Sequence, residues 1–158
     1  MSPDQSVRHA CVWMLEKATF TSNLGTIAWH FTGSRRICNP APELESSSDW
    51  DFCFLVKDFN HAHKLMLNAG WVSCGDYLSS DSVLAYRRSK TNFLITANQD
   101  TYERFHMACG IATLLNARDK STRVEIFKCM RENRNKDLVN TCRPLLTGTS
   151  LGATLGIK

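Results

Sequence analysis

The chain has 158 residues, 43% hydrophobic and 22% charged, which suits one ordinary domain and excludes intrinsic disorder. Eight Gly and four Pro exclude collagen-like or low-complexity sequence, and no run approaches the roughly 20 apolar residues of a membrane span. The net charge of +4 is small for a dedicated DNA-binding domain, yet it is unevenly placed: residues 1–90 carry nine basic and nine acidic side chains, and residues 91–158 carry ten and six.

In chain order, Ser2-Pro3-Asp4-Gln5 reads as a capping box with Pro at the first helical position. Val7, Cys11, Met14 and Ala18 continue it as one apolar stripe, and Thr21–Gly25 reads as a loop. Arg8, Glu16 and Lys17 interrupt the apolar runs, so no secretory core is expected. Thr26–Thr32 alternates as a strand and stops at Gly33-Ser34. Two prolines and a serine run make residues 38–48 a loop. Asp49–Val56 follows, its continuous apolar second half typical of a central strand covered on both faces.

Asn60 reads as the cap of a short helix that Gly70 ends. Trp71–Cys74, Val83–Arg88 and Asn92–Ala97 read as strands. Asp100 or Thr101 starts a helix striped by Phe105, Ala108, Ala112 and Leu115, and a capping box at Thr122–Glu125 opens another. Beyond Asn133 the period fades. The predicted organisation is one α+β domain over residues 1–134, a small mixed sheet flanked by helices with a two-helix C-terminal part. Residues 135–158 are expected to form a partly ordered extension. The seven cysteines are odd in number, scattered and without a CxxC pair, as in a reduced, cytoplasmic compartment.

The chemistry lies in Gly33-Ser34 and Asp49-Trp50-Asp51. On a strand, residues i and i+2 share a face, so Asp49 and Asp51 project together and Trp50 points the other way. Two adjacent carboxylates repel, and hard oxygens favour Mg²⁺ or Mn²⁺ between them. Gly-Ser after a strand offers close backbone approach and a hydroxyl, the parts of a phosphate cradle. Arg35 and Arg36 follow the cradle as candidate phosphate contacts, and Arg87, Arg88 and Lys90 could steer a polyanion. His61 and His63 diverge on a helix and read as cap-region residues rather than a metal pair. His30 reads as a partly buried histidine, and Cys53 as buried packing.

With its Phe-Thr-Gly-Ser-Arg-Arg and Ser-Asp-Trp-Asp-Phe segments, the chain resembles the polymerase-beta-like nucleotidyltransferase superfamily. It looks most like the short nucleotidyltransferase-like proteins of tailed bacteriophages, which share the Asn92–Ile95 strand, the Tyr102–Phe105 helix and the Lys120–Phe127 segment. The resemblance implies a minimal nucleotidyltransferase fold. Gly33, Ser34, Arg35, Arg36 and Asn92 would face a nucleoside triphosphate such as ATP, and Asp49 and Asp51 would be catalytic ligands of Mg²⁺ or Mn²⁺. It implies transfer of a nucleoside monophosphate to an acceptor hydroxyl on a nucleic acid, protein or small molecule, with the basic C-terminal helices facing a nucleic-acid or host-protein acceptor and no membrane involved. A phage-encoded chain would act in the host cytoplasm. Asn92 stands where active members carry a third carboxylate. The alternative is therefore a catalytically weak or inactive protein of that fold that binds a host protein or nucleic acid.

Overall fold

The computed structural model describes residues 18–76 and 83–157, so the expected N-terminal helix before Ala18 lies outside the described residues. The order is α1 (Ala18–Asn23), β1 (Thr26–Thr32), α2 (Ser34–Ile37), β2 (Trp50–Val56), α3 (Phe59–Asn68), β3 (Val72–Asp76), β4 (Leu84–Arg88), β5 (Thr91–Thr96), α4 (Gln99–Leu114), α5 (Lys120–Arg131), α6 (Asn135–Leu146) and α7 (Ser150–Thr154). The five strands make one mixed sheet in the order β1-β2-β5-β4-β3. Among the described neighbouring pairs β2 and β5 are parallel and the other three are antiparallel. The chain is an α+β fold, as its sequence pattern implies.

Alternation along the strands sends side chains to two cores. Cys53, Leu55 and Leu94 pack under the C-terminal helices with Phe105, Ala108, Ile126 and Phe127. Phe52, Phe54, Phe93 and Ile95 face the other way, against Ala62 and Met66 of α3 and against Trp71. β2 lies between β1 and β5 with its last five residues buried, as its continuous apolar run requires.

Helix starts shift from their expected places because the cap is set by an Asx side chain two or three residues earlier. Asp58, not Asn60, caps α3 by accepting from the His61 N–H. Asn98 caps α4 through the Thr101 N–H, and Asp119 rather than Thr122 caps α5. Thr21–Asn23, read as loop, belongs to α1, and a single turn of helix follows Gly33.

Beyond Asn133, where the sequence period fades, the chain is helical. α6 runs from Asn135 to Leu146, with Pro144 tolerated in its last turn, and Cys142 and Leu146 reach the core four residues apart. The C-terminal part accordingly holds four helices, α4 to α7, rather than two.

Candidate active-site cleft

One row of residues crosses four strands at a single register. Thr32 on β1 pairs with Asp51 on β2, Asp51 with Asn92 on β5, and Asn92 with Arg87 on β4. Residues opposite one another in a sheet project to the same face, here the face that carries Cys53, Leu55 and Leu94 toward the C-terminal helices. Polar side chains end this face where the apolar core stops, and they form the floor of a cleft of about 550 Å³. Gly33, Ser34, Ser48 and Asp49 line it, as do Lys120 and Arg123 from α5.

Asn92 joins the two carboxylates, its amide Nδ2 donating to Asp49 Oδ2 at 3.1 Å and to Asp51 Oδ1 at 2.9 Å. Arg87 donates from Nη2 to Asp49 Oδ1 at 3.0 Å. Gly33 has φ 76°, a left-handed value, and a Cβ there would overlap the Asp51 carboxylate. The Gly-Ser turn and the acidic pair are thus packed on each other, with no room for a larger residue between them. Burial pushes the Asp51 carboxyl up to about 6; the Asn92 hydrogen bond opposes the shift, the Asp49 charge adds to it, and Arg87 and Arg123 oppose it.

The structure brings together Gly33, Ser34, Asp49, Asp51 and Asn92 and leaves out both arginines expected as phosphate contacts. Arg35 is fully buried. Its guanidinium donates to the carbonyls of Pro42, Glu43, Leu44 and Ser48 and to Ser46 Oγ, and it stacks over Trp50 at 4.7 Å. That expectation is corrected: with its donors spent on the 38–48 loop, Arg35 has none to offer a ligand. Arg36 is not among the residues lining the cleft; its charge is felt at His30 and Cys109 instead.

Of the three basic residues expected to steer a polyanion, Arg87 lines the cleft, Arg88 donates to the Ala69 carbonyl and Lys90 to the Ser46 carbonyl. His61 accompanies the Asn23 carbonyl and His63 the Tyr86 hydroxyl, so they diverge as expected. His30 is buried and stacks on His106 at 4.5 Å, and Trp50 stacks on Phe31, across the sheet from the carboxylates.

Sequence reading did not single out Thr32, Lys120 or Arg123 as cleft residues. For Lys120 and Arg123 the signal was present, because a Lys-x-x-Arg spacing places both on one helix face. For Thr32 there was none; only its register with Asp51 puts it there. Arg123 also donates to the Ala117 and Arg118 carbonyls, fixing the α4–α5 turn beside the cleft.

Among the described residues no group of three or more His, Cys, Asp or Glu converges as a metal site. The donors do fit a hard divalent cation in kind. β2 begins at Trp50 rather than Asp49, so Asp49 stands just before the strand and the shared Asn92 amide, not a common strand face, brings the two carboxylates together; Asn92 supplies an amide oxygen if its side chain turns over. In the arrangement described, the amide nitrogen faces both carboxylates.

No family model matches the chain and no curated protein matches it. Among solved structures, the conserved protein GrpB from Enterococcus faecalis is similar over 79% of this chain and 89% of its own, at 12% identity and a TM-score of 0.43.

Proposed function

We propose that this cleft binds a nucleoside triphosphate and transfers its nucleoside monophosphate to an acceptor hydroxyl, releasing pyrophosphate. The observation that carries this reading is the contact of Gly33 with Asp51, which seats a Gly-Ser turn directly on a carboxylate that the Asn92 amide joins to its neighbour Asp49. Asp49 and Asp51 would hold Mg²⁺ or Mn²⁺. When bound there, such an ion neutralises triphosphate charge and aligns the attacking oxygen.

The chain's own residues do the rest. The Ser34 hydroxyl donates to phosphate oxygens, and Lys120 and Arg123, which line the same cleft, supply positive charge to them. As the bond from the acceptor oxygen to the α-phosphorus forms, the bond to pyrophosphate breaks and the hydroxyl proton leaves to solvent, the Asn92 amide being no base. The basic excess on α5 and α6 favours an anionic acceptor, a nucleic acid or an acidic protein face. The resemblance to phage nucleotidyltransferase-like proteins points the same way.

Incubation with Mg²⁺ or Mn²⁺, each labelled triphosphate, and either tRNA or cell lysate tests the reading. Label should move to an acceptor, and Asp49→Ala and Asp51→Ala should each reduce transfer to background; transfer that survives both substitutions sinks this site. The second reading, a nucleotide or partner-binding protein without turnover, is favoured by one observation. The only acidic side chains among the described residues lining the cleft are Asp49 and Asp51, and the third position is the amide of Asn92. Saturable triphosphate binding with no transfer to any acceptor would select it.

A further inference from the structure

Building on the reading that Asp49 and Asp51 hold a divalent cation, we propose that Asn92 and Arg87 form a built-in substitute for that cation, which an entering ion must displace. Two neighbouring carboxylates repel and need positive charge or donors between them. The Asn92 amide has two hydrogens, and it gives one to each carboxylate, at 3.1 Å and 2.9 Å. Its orientation is fixed by chemistry: an amide oxygen has nothing to offer two acceptors, so the nitrogen faces them.

Arg87 adds a full charge at 3.0 Å on the remaining oxygen of Asp49. Three of the four carboxylate oxygens are therefore occupied by donors, and the fourth, Asp51 Oδ2, is the atom closest to where a Gly33 Cβ would lie. Arg87 and Asn92 are register partners on adjacent strands, so the arrangement is fixed by the sheet itself.

For the pair to take a cation, Asn92 must turn its amide so that oxygen replaces nitrogen, and Arg87 must leave Asp49. The Arg87 side chain is 53% exposed, so it can leave without moving the strand. Once freed, it joins Lys120 and Arg123 as a third cation available to an anionic ligand in the same cleft. The cost of opening these contacts is subtracted from cation binding, so a divalent ion alone binds weakly to this chain.

The test is a titration of the full chain with Mn²⁺ alone, reading free Mn²⁺ from its electron paramagnetic resonance signal. Asn92→Asp and Arg87→Gln should each bind Mn²⁺ roughly tenfold more tightly than the native chain. Lys120→Gln, which removes a cleft cation that does not touch the carboxylates, should gain no more than about twofold. Equal affinity of the native chain and Arg87→Gln overturns the proposal, and so does a gain for Lys120→Gln matching that of Arg87→Gln, which would reduce the effect to net charge. No Mn²⁺ uptake by any variant also overturns it. Should Asn92→Asp fail to fold, Arg87→Gln on its exposed side chain still decides the matter. A tightening on Arg87→Gln that disappears when Asp49→Ala is added, in a chain that labels no acceptor, keeps this inference while the transferase reading falls. If the tightening survives Asp49→Ala, the cation lies elsewhere and both fall.

Discussion

Gly33 has a left-handed φ and a Cβ position that the Asp51 carboxylate already fills. Gly33→Ala therefore pays twice, in backbone strain of about 1–3 kcal/mol and in displacement of Asp51 from its Asn92 hydrogen bond. It should lower stability in a urea melt and reduce triphosphate binding further than Ser34→Ala, which deletes only a hydroxyl. Equal binding by the two variants would deny the Gly33–Asp51 contact any role in shaping the cleft. Arg35 is a different case. Its position after Gly-Ser was legible as a phosphate contact, but a basic side chain beside a cradle looks the same in sequence whether it faces a ligand or a loop. What decided it was the loop, whose carbonyls from Pro42 to Ser48 curl around the guanidinium. Arg35→Ala takes the donors from those carbonyls and empties a fully buried position under the loop, and should cost about 3 kcal/mol or more. Arg35→Lys should recover little of it, because one ammonium cannot reach the same spread of carbonyls as a planar fork. Melting both variants checks this, and a full rescue by lysine would contradict it.

The strands were legible and the helix starts were not, for one physical reason. A strand's pattern persists along its whole length, as in the alternation of Thr26–Thr32 or the continuous apolar run Phe52-Cys53-Phe54-Leu55, whereas a cap is a single side chain whose partner is only known once the chain has turned. Thr122-x-x-Glu125 satisfies the written form of a capping box, yet Asp119 wins. Its carboxylate accepts from the Thr122 N–H and from the Thr122 and Ser121 hydroxyls, which hold the carboxyl below its ordinary range. Asp119→Ala should lower the melting temperature by a few degrees, and because Lys120 and Arg123 begin this helix on the cleft wall, it should weaken triphosphate binding as well. Glu125→Ala, which removes the expected box partner, should leave triphosphate binding unchanged: Glu125 pairs instead with Arg134 at the other end of the helix. α6 was missed for the complementary reason. Its stripe is there in the sequence, Leu138, Cys142, Leu145 and Leu146 at helical spacing and packed on the core, but polar residues surround it and Pro144 reads as a helix breaker.

Across the whole molecule, two buried ionisable groups on the same sheet face pull stability in opposite directions as pH falls. His30 is held down to about 3, first by burial, then by the His106 and Arg36 charges. Unfolded, it takes up its proton near 6.5, so between 6.5 and 3 the unfolded chain carries the extra proton and stability falls with pH, by at most about 1.4 kcal/mol per unit. Asp51 is the reverse. Its folded value is pushed up to about 6 against 3.8, so between 6 and 3.8 the folded chain carries the extra proton and stability rises as pH falls. Above pH 6.5 the His30 contribution is flat, and Asp51 stands as a net cost of keeping a buried carboxylate charged. In the native chain the two slopes oppose each other between pH 6 and 4, and single substitutions separate them. Urea melts at pH 7.5, 6 and 4.5 should show His30→Phe, which keeps an aromatic ring against Tyr102 and His106, gaining on the native chain as the solution is acidified. Asp51→Asn should be the more stable chain at pH 7.5 and lose that advantage by pH 4.5. A His30→Phe difference that does not change with pH would mean His30 is not held neutral in the fold. An Asp51→Asn advantage that persists at pH 4.5 would mean the native carboxylate gains nothing by protonation, and that Asn92 and Arg87 already meet the full cost of its charge.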